Sequence, residues 1–255
     1  MGQVAAGILL LNLSGVAAPG YETGFSNIVR IATDLQHALP PAARQNLSPT
    51  PVLLDNVSIP FLQPGEQMKP NVVQYVSVSR GFVDFANYLS HAKAIDEYQQ
   101  GVYRRYLETL ASQPKPPPLL VGVGTGRAWS FDTRNHQVSQ FNQIVAGLIA
   151  VEMAHHYLGH YRKYAPRLVD AQGHAISINN YLTPDEWHAA VLKGGRNALD
   201  CGFSPDGIKI VLDAFEGMKV RPSWAIYLVP RDVDARRLNR DLTTLEKTFF
   251  TSLQK

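Results

Sequence analysis

The chain has 255 residues, of which 45% are hydrophobic and 18% are charged, so it has enough apolar residues to form a hydrophobic core. Its formal net charge is +3, which is too small and too dispersed to predict binding to nucleic acid. The single cysteine, Cys201, excludes an intrachain disulfide framework and a cysteine-based zinc knuckle.

The most apolar stretch lies at residues 4–18 and is interrupted by Asn12 and Ser14. It is shorter than the roughly 18 to 20 apolar residues of a membrane helix, so we expect a protein that is not integral to a membrane. The stretch ends in small residues, as export signals do, but no Lys or Arg precedes Arg30. Residues 1–20 are therefore either the remnant of an export signal or a first helix that packs on the domain.

Two runs, 51–59 and 72–78, have the β-branched and aromatic composition of strands. The spacing of apolar residues then predicts a helix over 82–110. A Pro- and Gly-rich loop follows, and a long helix is predicted from about 132 to 164, before Pro166. Its middle is strongly apolar, which indicates a helix buried on more than one side.

Three more helices are predicted towards the end of the chain. Thr183 and Glu186 form a capping box that begins one helix, and Gly202 ends it. Two further helices are predicted at 204–217 and 232–253. The sequence thus predicts a helix-dominated α+β fold, with residues 1–255 in a single domain.

The residues with the clearest chemical meaning lie on the long apolar helix. A zinc peptidase helix carries His-Glu-x-x-His, in which two histidines one turn apart bind the metal and the glutamate activates a water. Glu152 and His155 have this spacing, but Val151 stands where the first histidine is needed. In a second register, His156 and His160 are one turn apart, with Tyr157 in place of the glutamate. Neither register is a catalytic motif by itself.

With these residues, the chain resembles the HtpX-type gluzincin metallopeptidases, the family that also contains the CAAX prenyl proteases. The resemblance covers about residues 50–250 and rests on four segments in the family's order. They are Val76-Ser77-Val78-Ser79-Arg80-Gly81-Phe82; Val151-Glu152-Met153-Ala154-His155 with His160; Ala189-Ala190-Val191 with Gly194 and Gly202-Phe203-Ser204-Pro205; and Val229-Pro230 with Arg236.

The resemblance implies a zincin-like fold with a small sheet packed near the zinc helix. It also implies that Glu152 holds the position of the catalytic base and His155 that of the second zinc ligand. Three other positions that matter for the metal carry apolar residues here, namely Val151, Ala189 and Val229. Because a zinc site needs three protein ligands, we expect no metal cofactor and a pocket filled by hydrophobic core. Glu152 is then expected either to pair with His155 or to have a pKa raised by burial.

The departures from the family favour a metallopeptidase-like pseudoenzyme that binds or scaffolds a protein or polypeptide partner, in a bacterial cell envelope. An exported or periplasmic location is expected from the resemblance, and a cytoplasmic one stays open. The alternative is a zinc metalloendopeptidase with rearranged ligands from His155, His156, His160 and His188, and with Glu152 as the base. A non-metal hydrolase is disfavoured, because the sequence has no Gly-x-Ser-x-Gly elbow and Cys201 lies at a helix end.

The resemblance also implies an insertion at about residues 95–135, because Gly81 and Glu152 are further apart here than in the family. We expect the insertion to lie near the former substrate cleft, where it would cover the cleft or present a surface to a partner.

Overall fold

A computed structural model describes residues 24–45, 47–67, 72–112, 120, 126–171 and 175–254. Secondary-structure elements in these ranges are numbered in chain order. They are α1 (Gly24–Ala38), α2 (Pro41–Arg44), β1 (Leu47–Asp55), β2 (Leu62–Gln67), β3 (Val73–Ser79), α3 (Arg80–Asp96), α4 (Val102–Ser112), α5 (Phe131–Tyr157), α6 (His160–Tyr164), α7 (Pro184–Asp200), α8 (Asp206–Glu216) and α9 (Ala235–Leu253). The predicted helix-dominated α+β class is confirmed.

The strands form a small mixed sheet in the order β1-β3-β2. β3 lies in the centre, parallel to β1 and antiparallel to β2. The two predicted strands are present, although β1 begins and ends about four residues before the predicted run. β2 was not predicted, because Pro64 and Gly65 inside it are typical of a turn. An edge strand tolerates such residues, since one side of its backbone pairs with no other strand.

The sheet leads directly into the helices. Ser79 ends β3 and caps α3, because its Oγ accepts a hydrogen bond from the backbone N–H of Phe82 at 2.9 Å. The helix predicted over 82–110 is in fact two helices, α3 and α4. Residues 97–101 separate them, and Gly101, directly before α4, has a φ of 87°, a left-handed conformation that interrupts helical geometry.

The long helix α5 lies at the centre of the fold. It packs against α1, α3, α7 and α8 and against strands β2 and β3. Its residues from Ile144 to His156 are all buried, as the apolar centre of the sequence predicted. The prediction that this helix continues to 164 is wrong. It ends at Tyr157, Gly159 adopts a φ of 77°, and α6 begins in a new direction.

The last three helices follow the prediction closely. The capping box at the start of α7 is present in both directions, with Thr183 Oγ1 accepting from the Glu186 N–H and the Glu186 carboxylate accepting from the Thr183 N–H. Gly202 follows the helix with a φ of 80°. α7 crosses α5 closely at Gly194, where a Cβ atom would lie 2.6 Å from the backbone nitrogen of Val151.

Two predictions fall outside this description. Residues 1–20 and most of the loop at 112–126 lie outside the described residues. Within the ranges given above, no helix has both the length and the apolarity needed to cross a bilayer.

Candidate functional site

The point where α7 crosses α5 is an aliphatic contact. Val151 of α5 is 2% exposed, and Ala190 and Val191 of α7 are fully buried in the same hydrophobic cluster. Val229, from the segment before α9, belongs to that cluster as well. Ala189, to which the resemblance assigns the third ligand position, is only half-buried. Two of the three apolar replacements, Val151 and Val229, therefore contribute to core packing.

Glu152 is the most unusual residue of this region. It is 3% exposed, and its Oε2 has no hydrogen-bond partner among the described residues. Burial raises the pKa of this carboxyl well above its ordinary value, because removal from water disfavours the charged form. Of the two outcomes expected for Glu152, the raised pKa is the one found, since no hydrogen bond joins it to His155.

The break after α5 brings two histidines together. His155 and His160 are five residues apart and would diverge on a continuous helix, yet their Nδ1 atoms lie 3.0 Å apart. One nitrogen must donate and the other accept, so at least one ring is neutral. Burial, together with repulsion from His160 and His156, lowers the pKa of His155 to about 3. His155 Nε2 is buried and has no hydrogen-bond partner in the part of the chain that the structure describes.

His156 points in a different direction. Its Nε2 lies 2.8 Å from the carbonyl oxygen of Tyr75 in β3, and because a carbonyl only accepts, Nε2 carries the proton. Burial lowers the pKa of this histidine to about 4. Both His156 and His160 are buried, at 6% and 8% exposed. His156 therefore ties α5 to the sheet as a neutral hydrogen-bond donor.

A polar network joins α6 to the start of α7. The Glu186 carboxylate accepts hydrogen bonds from Lys163 Nζ at 2.7 Å and from the Tyr164 hydroxyl at 2.9 Å, besides its role in the capping box. Burial alone raises the pKa of Glu186, but the hydrogen bonds from Lys163, Thr183 and Tyr164 outweigh it and lower the pKa to about 2. This network fixes α6, and with it His160, against α7.

His188 forms its hydrogen bond with a different part of the chain from the other three histidines. Its Nε2 is 2.8 Å from Asp241 Oδ2 and joins α7 to α9. The four histidines of the alternative zinc site are thus divided among different partners. In the part of the chain that the structure describes, no three His, Cys, Asp or Glu side chains are grouped so that they could hold a metal ion. Among the described residues, the histidines of the alternative site therefore do not fit a zinc site of three protein ligands.

The fold also forms a cleft that the sequence did not indicate. It has a volume of about 270 Å³ and lies between the start of α7 and the segments around Asn179 and Pro230. Its residues come from two parts of the chain, 179–187 and 226–233. Of these, Thr183 belongs to the capping box of α7 and Pro230 to the last family-like segment, but neither pattern indicates a cleft.

Comparisons of the chain with protein-family models, with curated proteins and with solved structures found no match.

Proposed function

We propose that this chain is a non-catalytic, polypeptide-binding protein built on a gluzincin-like scaffold whose zinc site has been converted into core. The placement in a bacterial cell envelope, exported or periplasmic, belongs to the same proposal and comes from the resemblance. The observation that carries the proposal is the crossing of α5 and α7. Glu152 and His155 keep the family's spacing there, while Val151, Ala190 and Val191 pack around them as aliphatic core.

The arrangement of elements supports the scaffold part of the proposal. A small sheet packs on the central helix through β2 and β3, which is where the resemblance expects a sheet beside the zinc helix. The helix with the expected third ligand crosses the central helix next to Val151, at the close approach of Gly194. A residue larger than glycine at that point would push the two helices apart.

The chemistry of the site supports the non-catalytic part. Hydrolysis by a gluzincin mechanism needs a Lewis acid held by three ligands and a carboxylate that accepts a proton from water. Of the ligand positions that the resemblance assigns, only His155 carries a donor, and burial raises the pKa of Glu152 well above its ordinary value, which disfavours the carboxylate that would accept the proton. Binding a polypeptide needs neither group.

The test is zinc content together with activity. Protein purified in the presence of Zn²⁺ is expected to contain far less than one zinc per chain by elemental analysis and to leave casein uncut. Stoichiometric zinc that is lost in a His155→Ala variant would overturn the proposal. So would casein cleavage that a chelator stops and Glu152→Gln abolishes, which is the result expected of a zinc endopeptidase.

A gain-of-function variant tests the scaffold part separately. Val151→His with Ala189→Glu restores donors at the three ligand positions that the resemblance assigns, together with His155. We expect this double variant to bind Zn²⁺ by calorimetry, and the same variant with His155→Ala in addition not to bind it. Circular dichroism shows whether both variants fold. A folded double variant without zinc affinity would contradict the assigned register.

A further inference from the structure

The carboxyl end of β1 and the turn after it carry a group of exposed aliphatic side chains, which form an aliphatic patch. Its members are Leu53, Leu54, Val57 and Ile59, each between 38% and 45% exposed. They are four of the eleven large hydrophobic residues that are exposed in the described part of the chain. Successive side chains of a strand point to opposite faces, so the exposure of both Leu53 and Leu54 shows that neither face is fully covered at this end.

The backbone that presents the aliphatic patch is fixed to the rest of the fold. The Gly81 N–H at the start of α3 donates to the Val57 carbonyl at 2.9 Å, and the Ser79 N–H donates to the Phe61 carbonyl at 3.1 Å. The turn also touches α3, because a Cβ atom on Gly81 would collide with the carbonyl oxygen of Ser58. The exposure of the patch is therefore a property of the folded sheet and its turn.

The patch has the composition of a contact surface for an uncharged partner. Asp55 is the only charged residue between positions 47 and 61. Among the described residues β1 pairs only with β3, so its outer edge is unpaired as well. Aliphatic side chains grouped beside an unpaired strand edge are typical of a surface that another segment covers.

The chain contains a segment of matching chemistry at residues 4–18. It is apolar except for Asn12 and Ser14, and no charged residue precedes Glu22. Residues 19–23 connect it to α1, which begins at Gly24. This connection spans at most about 17 Å when extended, so residue 18 lies within that distance of the start of α1.

α1 begins at the end of the sheet that carries the patch. Its last turn lies at the amino end of β1, where Gln36 Nε2 donates to the Ser48 carbonyl at 3.0 Å. The helix from Gln36 back to Gly24 is about 18 Å long. The strand from Ser48 to Leu54 is about 20 Å long. Because α1 packs along β1, the two run antiparallel and Gly24 lies towards Leu54.

The contacts of α5 give the same placement independently. α3 begins where β3 ends, and its Asn87 accepts a hydrogen bond from Gln137 Nε2 of α5 at 2.6 Å. Further along α5, Asn142 accepts from Asn27 Nδ2 in the first turn of α1, also at 2.6 Å. Because β1 and β3 are parallel, their carboxyl ends are adjacent, and the first turn of α1 therefore lies at the carboxyl end of β1.

We propose that residues 4–18 cover the aliphatic patch of the same molecule. The short connection to α1 keeps the segment beside the patch at an effective concentration on the order of millimolar, which favours it over a second copy or another polypeptide in dilute solution. The inference goes beyond the proposed function and does not rest on it, because it involves neither Glu152 nor His155. Zinc bound at those residues would leave it unchanged.

The test places the photo-crosslinking residue p-benzoyl-phenylalanine at Leu54 of the full chain, with the intact mass showing that residues 1–255 are present. A glutamate-specific protease cleaves first after Glu22, which separates the segment from α1. Illumination is expected to join position 54 to the peptide 1–22. The same group at Val220, which is 66% exposed and outside the patch, is the control and should not reach that peptide.

An equal mixture of ¹⁵N-labelled and unlabelled chains identifies the molecule that supplies the segment. Crosslinked products are expected to carry a single isotope, because both partners belong to one chain. Products that contain both isotopes would show that a second copy covers the patch, and the proposal would then be wrong. Absence of any product between position 54 and the peptide 1–22 would overturn it as well.

Thiol reactivity provides a second measurement, in a Cys201→Ser background that removes the only native thiol. The thiol of Leu54→Cys is expected to react with dithiobis-nitrobenzoate at least about tenfold faster when Leu9→Asp and Leu10→Asp are added, because burial of one leucine shifts the equilibrium by that factor. Val220→Cys is the matched control and should keep its rate. Circular dichroism shows whether the variants fold. An unchanged rate at position 54 in folded protein would contradict the proposal.

Discussion

Replacing Glu152 by glutamine is the sharpest test of the view that this carboxyl is a buried remnant. Glu152 is 3% exposed, and one of its oxygens is unpaired. Because its pKa is raised in the folded protein, the unfolded chain releases this proton at lower pH than the folded chain does. Stability contributed by the neutral form is complete below about pH 4.5 and is lost as the pH rises towards the folded pKa.

The size of the effect follows from proton linkage. Between the unfolded and folded pKa values, the unfolded state binds one proton fewer, so each pH unit costs a factor of ten in the folding equilibrium, or about 1.4 kcal/mol. Over the range between those two pKa values the wild type should therefore lose up to about 1.4 kcal/mol per pH unit relative to Glu152→Gln. Glutamine also leaves polar atoms unpaired, but that cost does not change with pH. The way in which the difference in unfolding free energy between the two proteins changes with pH is therefore more informative than its value at one pH.

The assay is urea denaturation of both proteins at pH 5.5, 6.5 and 7.5, followed by circular dichroism. The difference in unfolding free energy is expected to grow in favour of Glu152→Gln as the pH rises. Glu108→Gln, at a side chain that is 62% exposed, controls for the loss of one negative charge. A pH-independent difference would show that Glu152 is ionised in the folded protein, and the account of a neutral, buried carboxyl would then be wrong.

Three further predictions concern the same elements. Gly194→Ala should destabilise the protein by about 1 to 2 kcal/mol in urea, because the new methyl group meets the α5 backbone, whereas Gly126→Ala enters open space and should not. Between pH 6.5 and pH 4 the wild type should lose up to about 1.4 kcal/mol of stability per pH unit, because burial makes protonation of His155 costly in the folded protein. Thermal unfolding should show that His155→Phe lacks this loss. Thr183→Ala should cost about 1 kcal/mol in urea by removing the cap of α7, and equal stability would show that the Glu186 network alone holds that end.

The helices that the sequence predicted well are those whose first and last residues carry capping signals. The capping box at Thr183 and the glycine at 202 set the limits of α7 whatever it packs against. α1 was missed, although Ile28, Ile31 and Leu35 lie on its buried face at helical spacing. Its sequence has no acidic residue in the first turn, so only the periodicity marked it. β2 was missed for the opposite reason, because its local signal favours a turn and only pairing with β3 makes it a strand.

The contacts of the histidines could not be predicted from their spacing. Spacing places His156 and His160 on one face of a helix, but the left-handed turn at Gly159 interrupts the helix between them. Glycine permits that conformation without requiring it, and the network of Glu186 with α6 supplies the tertiary contacts that favour it. The sequence therefore identifies the histidines, but the groups that they contact depend on the turn at Gly159.

Glu152, His155 and His156 together make a costly part of the core. Each has one buried atom without a hydrogen bond, and each such atom costs on the order of 1 to 3 kcal/mol. Their sum is comparable with the whole stability of a typical domain, so the surrounding packing must offset it. The offset is visible in the aliphatic contact of α5 with α7 and in the hydrogen bonds of His155 to His160 and of His156 to the sheet. A helix selected for stability alone would carry apolar residues at these positions, and the proposed function accounts for two of them, Glu152 and His155, as remnants of a converted zinc site.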